Sequence, residues 1–383
     1  MTGFENESWD VVVVGAGLGG LTAGLTAARA GAKVLVLEKN GSVGGNASTI
    51  TTKGFTFERA LHQLYGMGTP GTAPNELLRR LGVLDQLEFL PTDPMLKAVY
   101  PDLEISFPSD VGRLEAELVQ NFPGSAPQLH RAFSRLRRMV SSIYVAKRLM
   151  RGGELWASRV KDFSSLRKLS GALYGPVLAS LQNATFADIS RRAFSDETLQ
   201  AVLGSLWLYL GLPPSRVSGV MMLGMLGLYH LEGSFYIRGG SAKLSEALAT
   251  GIRESGGEIA TGCEIVNVQS HKGRVTGVVT GDGNTVAAKA VIYNGDVLRL
   301  YETMLDGTAL PAKAVKQTDG LDVSVSTYRL MLGIEWQWRE GEEPDYETAY
   351  FRHLDHDRNF QDILDGHADA VLDVCVPTLL DPS

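Results

Sequence analysis

The sequence predicts an α/β fold that opens on a Rossmann-type dinucleotide-binding domain, and three observations predict it. Val11 to Val14 is an unbroken β-branched run, as in a strand buried on both faces of a parallel sheet. It leads without a break into Gly15-Ala16-Gly17-Leu18-Gly19-Gly20, which carries G-x-G-x-x-G at Gly15, Gly17 and Gly20. A second short apolar strand, Lys33 to Glu38, then ends in an acid.

Each element follows from its residues. Gly15 permits the tight turn out of the strand, Gly17 lets the backbone approach a pyrophosphate, and Gly20 lets the next helix pack closely on the strand. That helix is expected over about Leu18 to Ala30, with Leu18 and Gly19 in its first turn. Its free N–H groups and partial positive charge then face the phosphates. Gly31 stands where a helix terminates in a left-handed residue. Glu38 is placed to accept hydrogen bonds from ribose hydroxyls, and its charge disfavours a 2′-phosphate. Downstream, Lys39 leads to a second glycine pair, Gly44-Gly45, with Asn46, Ser48 and Thr49 after it. Paired glycines let a chain run close beside a long ligand.

The spacing Glu38-Lys39-x-x-x-x-Gly44-Gly45 resembles the FAD signature of the amine oxidase and phytoene desaturase superfamily. Gly54-Phe55-Thr56-Phe57-Glu58-Arg59-Ala60-Leu61-His62 is similar to the Gly-Phe-x-Phe-(Asp/Glu)-x-Gly-x-His segment of the phytoene desaturase and retinol saturase branch, and departs from it at Ala60. Gly233-Ser234-Phe235-Tyr236-Ile237-Arg238-Gly239-Gly240 through Leu244 resembles a further segment of that family. The resemblance implies an FAD-binding domain of glutathione-reductase-like type built from discontinuous segments, with an inserted α+β substrate domain. Residues 1–65 and 233–300 are expected to form the cofactor domain, 66–232 the insertion, and 301–383 its return. Within 233–300 a helix is expected over about Ala242 to Ser255. Strands should follow around Ile265 to Val268 and Arg274 to Thr280, with a hairpin turn at Gly281-Asp282-Gly283-Asn284. The resemblance places the backbone at Ile265 near adenine and Asn294 against the cofactor. It also implies a closing Gly-rich segment for the flavin end of FAD, and nothing from Val371 to Ser383 matches that segment.

Composition sets further bounds. The 383 residues suffice for two domains with a sizeable core, 44% are hydrophobic, and the formal net charge of −7 argues against nucleic acid as a main partner. Only Cys263 and Cys375 occur, with no C-x-x-C or Cys/His spacing, so neither a metal centre nor a disulfide framework is expected. Cys263 reads as a small core residue in a strand. Met1 to Asp10 is short, acidic and polar, which does not resemble a secretory signal and suggests a cytoplasmic location. From Arg131 to Ser170 basic residues alternate with apolar ones near helical spacing. Such a stretch fits basic amphipathic helices lying peripherally on an anionic membrane, and equally a solvated helix face over the core. Val220 to Tyr229 is the most apolar run, suited to lining an adaptable tunnel or to an ordinary core helix, and too short to cross a bilayer. Alternation from Val323 to Leu332 suggests strands of a sheet covering the substrate.

The function implied is that of an FAD-dependent oxidoreductase moving hydride between flavin and a carbon–carbon bond of an apolar polyene, isoprenoid or lipid-like substrate. A flavin amine oxidase-like enzyme shares the opening signature. A non-catalytic protein of the kind that escorts prenylated GTPases shares the fold. The resemblance places His62, Glu58 and Arg59 near the flavin, and Tyr236 with Arg238 at the pocket wall. His62 suits acid–base work, and equally suits a buried histidine bonded to backbone. Arg238 suits a pyrophosphate, a substrate oxygen or a surface carboxylate.

Overall fold

The computed structural model describes residues 7–151, 181, 183–305, 316, 318, 321, 325–334, 339, 344–367 and 369–382, with backbone alone for 141–151. In chain order, β1 (Ser8–Val14), α1 (Leu18–Arg29) and β2 (Val34–Glu38) precede the hairpin of β3 (Thr49–Thr52) and β4 (Phe55–Glu58). Next come β5 (Leu64–Tyr65), α2 (Ala73–Arg80), β6 (Phe89–Pro91), β7 (Leu96–Tyr100) and β8 (Leu103–Phe107). Helices α3 (Val111–Asn121), α4 (Ala126–Arg151), α5 (Phe186–Ala193), α6 (Glu197–Gly204) and α7 (Gly219–Glu232) follow. After β9 (Ser234–Ile237) and α8 (Ala242–Glu254) lie β10 (Glu258–Thr261), β11 (Ile265–His271), β12 (Arg274–Thr280) and β13 (Thr285–Tyr293). The described chain closes with β14 (Glu347–Phe351), α9 (His356–Leu364) and β15 (Val371–Cys375).

The first and third parts of the chain build one six-stranded sheet, ordered β10-β2-β1-β13-β12-β11. Strands β10, β2, β1 and β13 run parallel, and β12 and β11 turn back as an antiparallel edge. Both faces of the parallel part are covered, which explains the unbroken apolar runs. Val13 and Val36 pack with Leu21 and Leu25 of α1 and with Leu248 and Ile252 of α8. Val12, Val14, Leu35 and Leu37 pack on the opposite side with Trp9, Val278 and Val286. Helix α1 stops in a Schellman arrangement: Gly31, at φ +88°, donates to the Ala28 carbonyl, and Ala32 donates to that of Ala27.

A second sheet, β15-β14-β7-β8, draws strands from both sides of the first sheet's later segment, with β14 parallel to β7. Its inner face carries Leu96, Ala98, Tyr100, Ile105, Phe107, Ala349 and Phe351, which join Leu114, Leu118, Phe133, Leu136 and Trp207 in the largest core. A small sheet, β5-β9-β6, contributes Tyr236 and Ile237.

Four readings of the sequence meet the structure here. The apolar run at Val220–Tyr229 lies in α7, with Met222, Met225 and Leu226 buried in that core, so it is a core helix. In α4, Phe133, Leu136 and Val140 are buried while Arg131, Arg135 and Arg138 are exposed; the apolar side faces protein and not a bilayer, and residues 152–170 of the basic stretch lie outside the described residues. Residues 325–334 form no strand, and Tyr328, Leu330, Leu332 and Ile334 are exposed; alternation supplies only local preference, and a strand also needs a neighbour to pair with. Cys263 is half-buried in the connection between β10 and β11 and not within a strand. Among the described residues no helix is long and apolar enough to cross a membrane.

The large core contains a titrating group. The Trp207 indole is a donor only, so His356 Nδ1 must accept its hydrogen bond at 3.0 Å, leaving Nε2–H to donate to the Ala201 carbonyl at 2.8 Å. Burial holds this imidazole neutral, with its pKa down to about 4. Because the folded pKa lies below the unfolded value of about 6.5, the contribution is present above that pH and lost as pH falls toward 4. Acid should therefore lower the urea midpoint across this window, and His356→Gln should flatten that dependence relative to wild type. An unchanged acid limb would remove His356 from this role.

Candidate active site

The dinucleotide cradle consists of two glycine segments lying against each other. Gly15 has φ +97°, and a Cβ there would approach the Asn294 carbonyl oxygen to 2.7 Å. Gly17 caps α1 without any side-chain hydrogen bond, which leaves the first N–H groups of the helix for an incoming anion. Gly44 donates to the Ala16 carbonyl at 2.7 Å and bridges to Gly17, and a Cβ on Gly45 would sit 3.4 Å from the Gly17 Cα. The Asn294 carboxamide lies over Gly17 and Gly19. Glu38 is buried at the floor; its carboxylate accepts from the Ala16 N–H at 2.8 Å and from the backbone and side chain of Asn40 at 2.9 and 2.8 Å. The Cys263 N–H donates to the Glu38 carbonyl at 2.8 Å, tying the approach to β11 and to buried Ile265 beside the acid. Lys39 and Asn46 are exposed at the rim, and Thr49 packs its methyl toward Gly240. Glycines keep Cβ atoms out of this cradle, and with the helix N–H groups left without a side-chain cap it fits a pyrophosphate-bearing cofactor.

The β3–β4 hairpin leads from this cradle to the resemblance-predicted catalytic residues, and the structure divides them. Glu58 is buried, accepting from the Ser241 N–H at 2.9 Å, the Ser241 hydroxyl at 2.5 Å and the Tyr236 hydroxyl at 3.1 Å. Both carboxylate oxygens are thus engaged in fastening the hairpin to residues 236–241. Arg59 is exposed, its Nε bonded to Ser48 Oγ at 3.0 Å. Tyr236 is buried, with its ring 6.0 Å from that of Tyr346. Arg238 does not join it at a pocket wall: 44% exposed, it pairs with Glu88 at 2.7 Å and Asp381 at 3.7 Å. Ala60, where the family segment has glycine, is not among the positive-φ residues, so alanine is accommodated.

His62 belongs to a cluster that spacing in the sequence does not reveal. Its Nδ1 bonds the Ala60 carbonyl at 3.0 Å, and its Nε2 lies 3.0 Å from Glu347, which is 285 residues away. Glu347 is 1% exposed on β14 and also accepts from Gln63 at 2.6 Å and Tyr209 at 2.7 Å. Burial alone would depress the imidazole, but the Glu347 carboxylate outweighs it and raises the His62 pKa to about 9. Cys375 and Asp373 project from β15 on the same sheet face as Glu347, since Cys375 is the register partner of Glu347 and Asp373 that of Ala349. One ligand-type atom each from His62, Glu347 and Cys375 lies within 4.8 Å of the others. The imidazolium already supplies the positive charge that Glu347 needs, and burial pushes the Cys375 thiol up, which keeps it protonated. The cluster is therefore complete as an ion pair.

Comparison with known proteins identifies the family. The model of the flavin containing amine oxidoreductases matches residues 18–363. The chain belongs to that family. Among curated relatives of this flavin family, the chain is 27% identical over 342 residues to a 4,4'-diapophytoene desaturase (4,4'-diapolycopene-forming) of Methylomonas sp, covering 85% of the chain and 61% of the relative. It is 28% identical over 324 residues to the all-trans-retinol 13,14-reductase of Homo sapiens, covering 82% of the chain and 52% of the relative. The chain thus spans less than two thirds of the length of either relative. Among solved structures, the PF1083 protein of Pyrococcus furiosus matches with a TM-score of 0.56 at 22% identity, covering 90% of this chain and 72% of that one. Putrescine oxidase bound to putrescine matches at 0.53 and 19%, covering 81% and 63%. These likenesses establish the shared fold, the Rossmann-type α/β architecture expected from the opening motif. Membership of this family also implies a flavin cofactor.

Proposed function

We propose that the protein is an FAD-dependent oxidoreductase acting on a carbon–carbon bond of an apolar polyene or isoprenoid-like substrate. The observation that carries this reading is the double-glycine cradle at the open N-terminus of α1, floored by Glu38, in a chain whose curated relatives are named for desaturating or reducing polyenes and retinoids. In such an enzyme Gly15, Gly17, Gly20, Gly44 and Gly45 admit the pyrophosphate, and Glu38 receives the ribose. Residues 1–65 and 233–300 act as the cofactor domain, with 66–232 and 301–383 forming the substrate domain. Flavin, when bound, supplies hydride transfer. The protein supplies orientation, through Glu58 locking the hairpin, and an apolar surface. Phe55, Tyr328, Leu330, Leu332 and Ile334 are all exposed, and Gly333 packs against the Phe55 ring, so this apolar group lies beside the hairpin.

FAD titration followed by the flavin's visible absorption tests the first half of the reading, and anaerobic bleaching of bound flavin by polyenes, retinoids or amines tests the second. Glu38→Ala should weaken FAD binding by about 10- to 100-fold, the loss of a charge-assisted hydrogen-bond partner. Undiminished affinity in that variant would remove Glu38 from its role, and reduction by amines alone would overturn the substrate class.

A further inference from the structure

The chain leaving the β3–β4 hairpin runs back alongside the second glycine pair. Leu61 donates its N–H to the Asn46 carbonyl at 3.2 Å and Arg59 donates its own to the Ser48 carbonyl at 2.9 Å, so residues 59–61 lie against 46–48. Ser48 is buried and holds the Arg59 side chain as well. Its Oγ accepts from Arg59 Nε at 3.0 Å and donates to the Gly45 carbonyl at 2.7 Å. Gly45 is the residue whose added Cβ would sit 3.4 Å from the Gly17 Cα. Two consecutive hydrogen bonds therefore join the guanidinium to the cradle.

This arginine has charge and donors that the protein does not use. A guanidinium carries its N–H groups in a rigid fork, and the bond to Ser48 engages only the one on Nε. The side chain is exposed and pairs with no carboxylate among the described residues, unlike Arg238 with Glu88 or Arg299 with Glu264. A dinucleotide brings the complementary need, because its diphosphate is a dianion at neutral pH and the N-terminus of α1 offers only roughly half a positive charge. Lys39 stands at the Glu38 end of the cradle and acts on Glu264. The unmet charge and the unused fork thus meet at one glycine segment, and arginine pairs with phosphate through two parallel N–H bonds.

We propose that Arg59 binds the diphosphate of the cofactor, with Ser48 as the positioning residue that fixes its guanidinium beside Gly45. The proposal rests on the cofactor half of the reading above and takes the arginine out of the hydride-transfer step. The glycines supply room and the helix N–H groups supply partial charge; Arg59 supplies a full one. With Nε already held, less side-chain freedom is lost when a phosphate arrives. The guanidinium is open to water, so its pull on an anion weakens with salt, a signature that a purely structural arginine lacks.

FAD titration of the wild type and of Arg59→Gln at two ionic strengths reads this directly. Near 0.01 M salt the variant should bind FAD about 10- to 100-fold more weakly, the usual contribution of hydrogen bonds to a charged group. That gap should shrink several-fold near 1 M, where the screening length falls to about 3 Å. Arg59→Lys keeps the charge and should recover part of the affinity at low salt. Ser48→Ala leaves the charge untethered and should lose about 2- to 10-fold, the cost of ordering one more side chain on binding. Melting temperatures measured without FAD should be equal for Arg59→Gln and wild type, as for surface substitutions generally. Wild-type affinity in Arg59→Gln, or a gap that salt does not change, overturns the proposal and leaves the oxidoreductase reading standing, because the wild type still takes up FAD. Wild-type protein that binds no FAD at either ionic strength overturns that reading, and the role of Arg59 falls with it.

Discussion

Gly20→Ala should disrupt the folded cofactor domain, whereas Gly17→Ala should leave it folded and lose flavin. A methyl at Gly20 would overlap the carbonyl oxygen of Gly15. That oxygen cannot yield, because Gly15 is held in the left-handed region at φ +97° and its N–H donates to the Leu37 carbonyl at 2.8 Å. Either α1 lifts from β1 or the turn breaks. Both expose core around Leu21 and Leu25, and overpacking of this kind costs about 1–3 kcal/mol or more. Gly17 differs, with φ −70° and ψ 173°, backbone that any L residue adopts. Its added methyl would lie 3.1 Å from the amide nitrogen of exposed Asn294, which can rotate away. The methyl remains where the pyrophosphate should pass, so flavin affinity should fall by about 10- to 100-fold, the same energy expressed in binding. Thermal unfolding followed by circular dichroism, together with flavin absorbance, separates the two variants. Equal melting temperatures would sink this account of the turn.

That contrast also marks what the sequence made legible. Strand, glycine turn, helix and terminal acid are contiguous from Val11 to Glu38, and each residue there satisfies a local backbone rule, so the first βαβ unit and its cradle were readable without coordinates. Glu58 stands out in its motif, but its partners Tyr236 and Ser241 come from a segment about 180 residues later and no local pattern announces them. No motif marks Glu347 or Asp373. They sit in short strands of ordinary composition, and only the parallel pairing of β14 with β7 and the antiparallel register with β15 bring them to His62. One signal was present: a charged residue on each of two adjacent short strands, Glu347 and Asp373, where both strands otherwise read as half-buried. The stretch at 325–334 misled for the converse reason, since its alternation satisfied a local rule that tertiary pairing did not honour.

Removing the Glu347 carboxylate should be the most destabilising change in the site. Glu347→Ala would leave the His62 imidazole, the Gln63 amide and the Tyr209 hydroxyl without their shared acceptor inside the protein. Breaking a buried pair on one side typically costs about 3–5 kcal/mol, because the remaining charge stays desolvated. The loss should depend on pH in a defined direction. In the wild type the His62 pKa is raised from about 6.5 to about 9, so its stabilising contribution is fully present below pH 6.5 and fades as pH rises through 9. In the variant, burial without the carboxylate leaves His62 neutral, and this contribution is absent. The gap in urea midpoint between wild type and Glu347→Ala should accordingly be widest near pH 6 and narrow toward pH 9. His62→Gln should erase most of that narrowing by removing the titrating group. A gap of constant size across this range would mean that Glu347 acts only as a neutral hydrogen-bond acceptor, and the charge logic joining His62 and Glu347 would have to be abandoned.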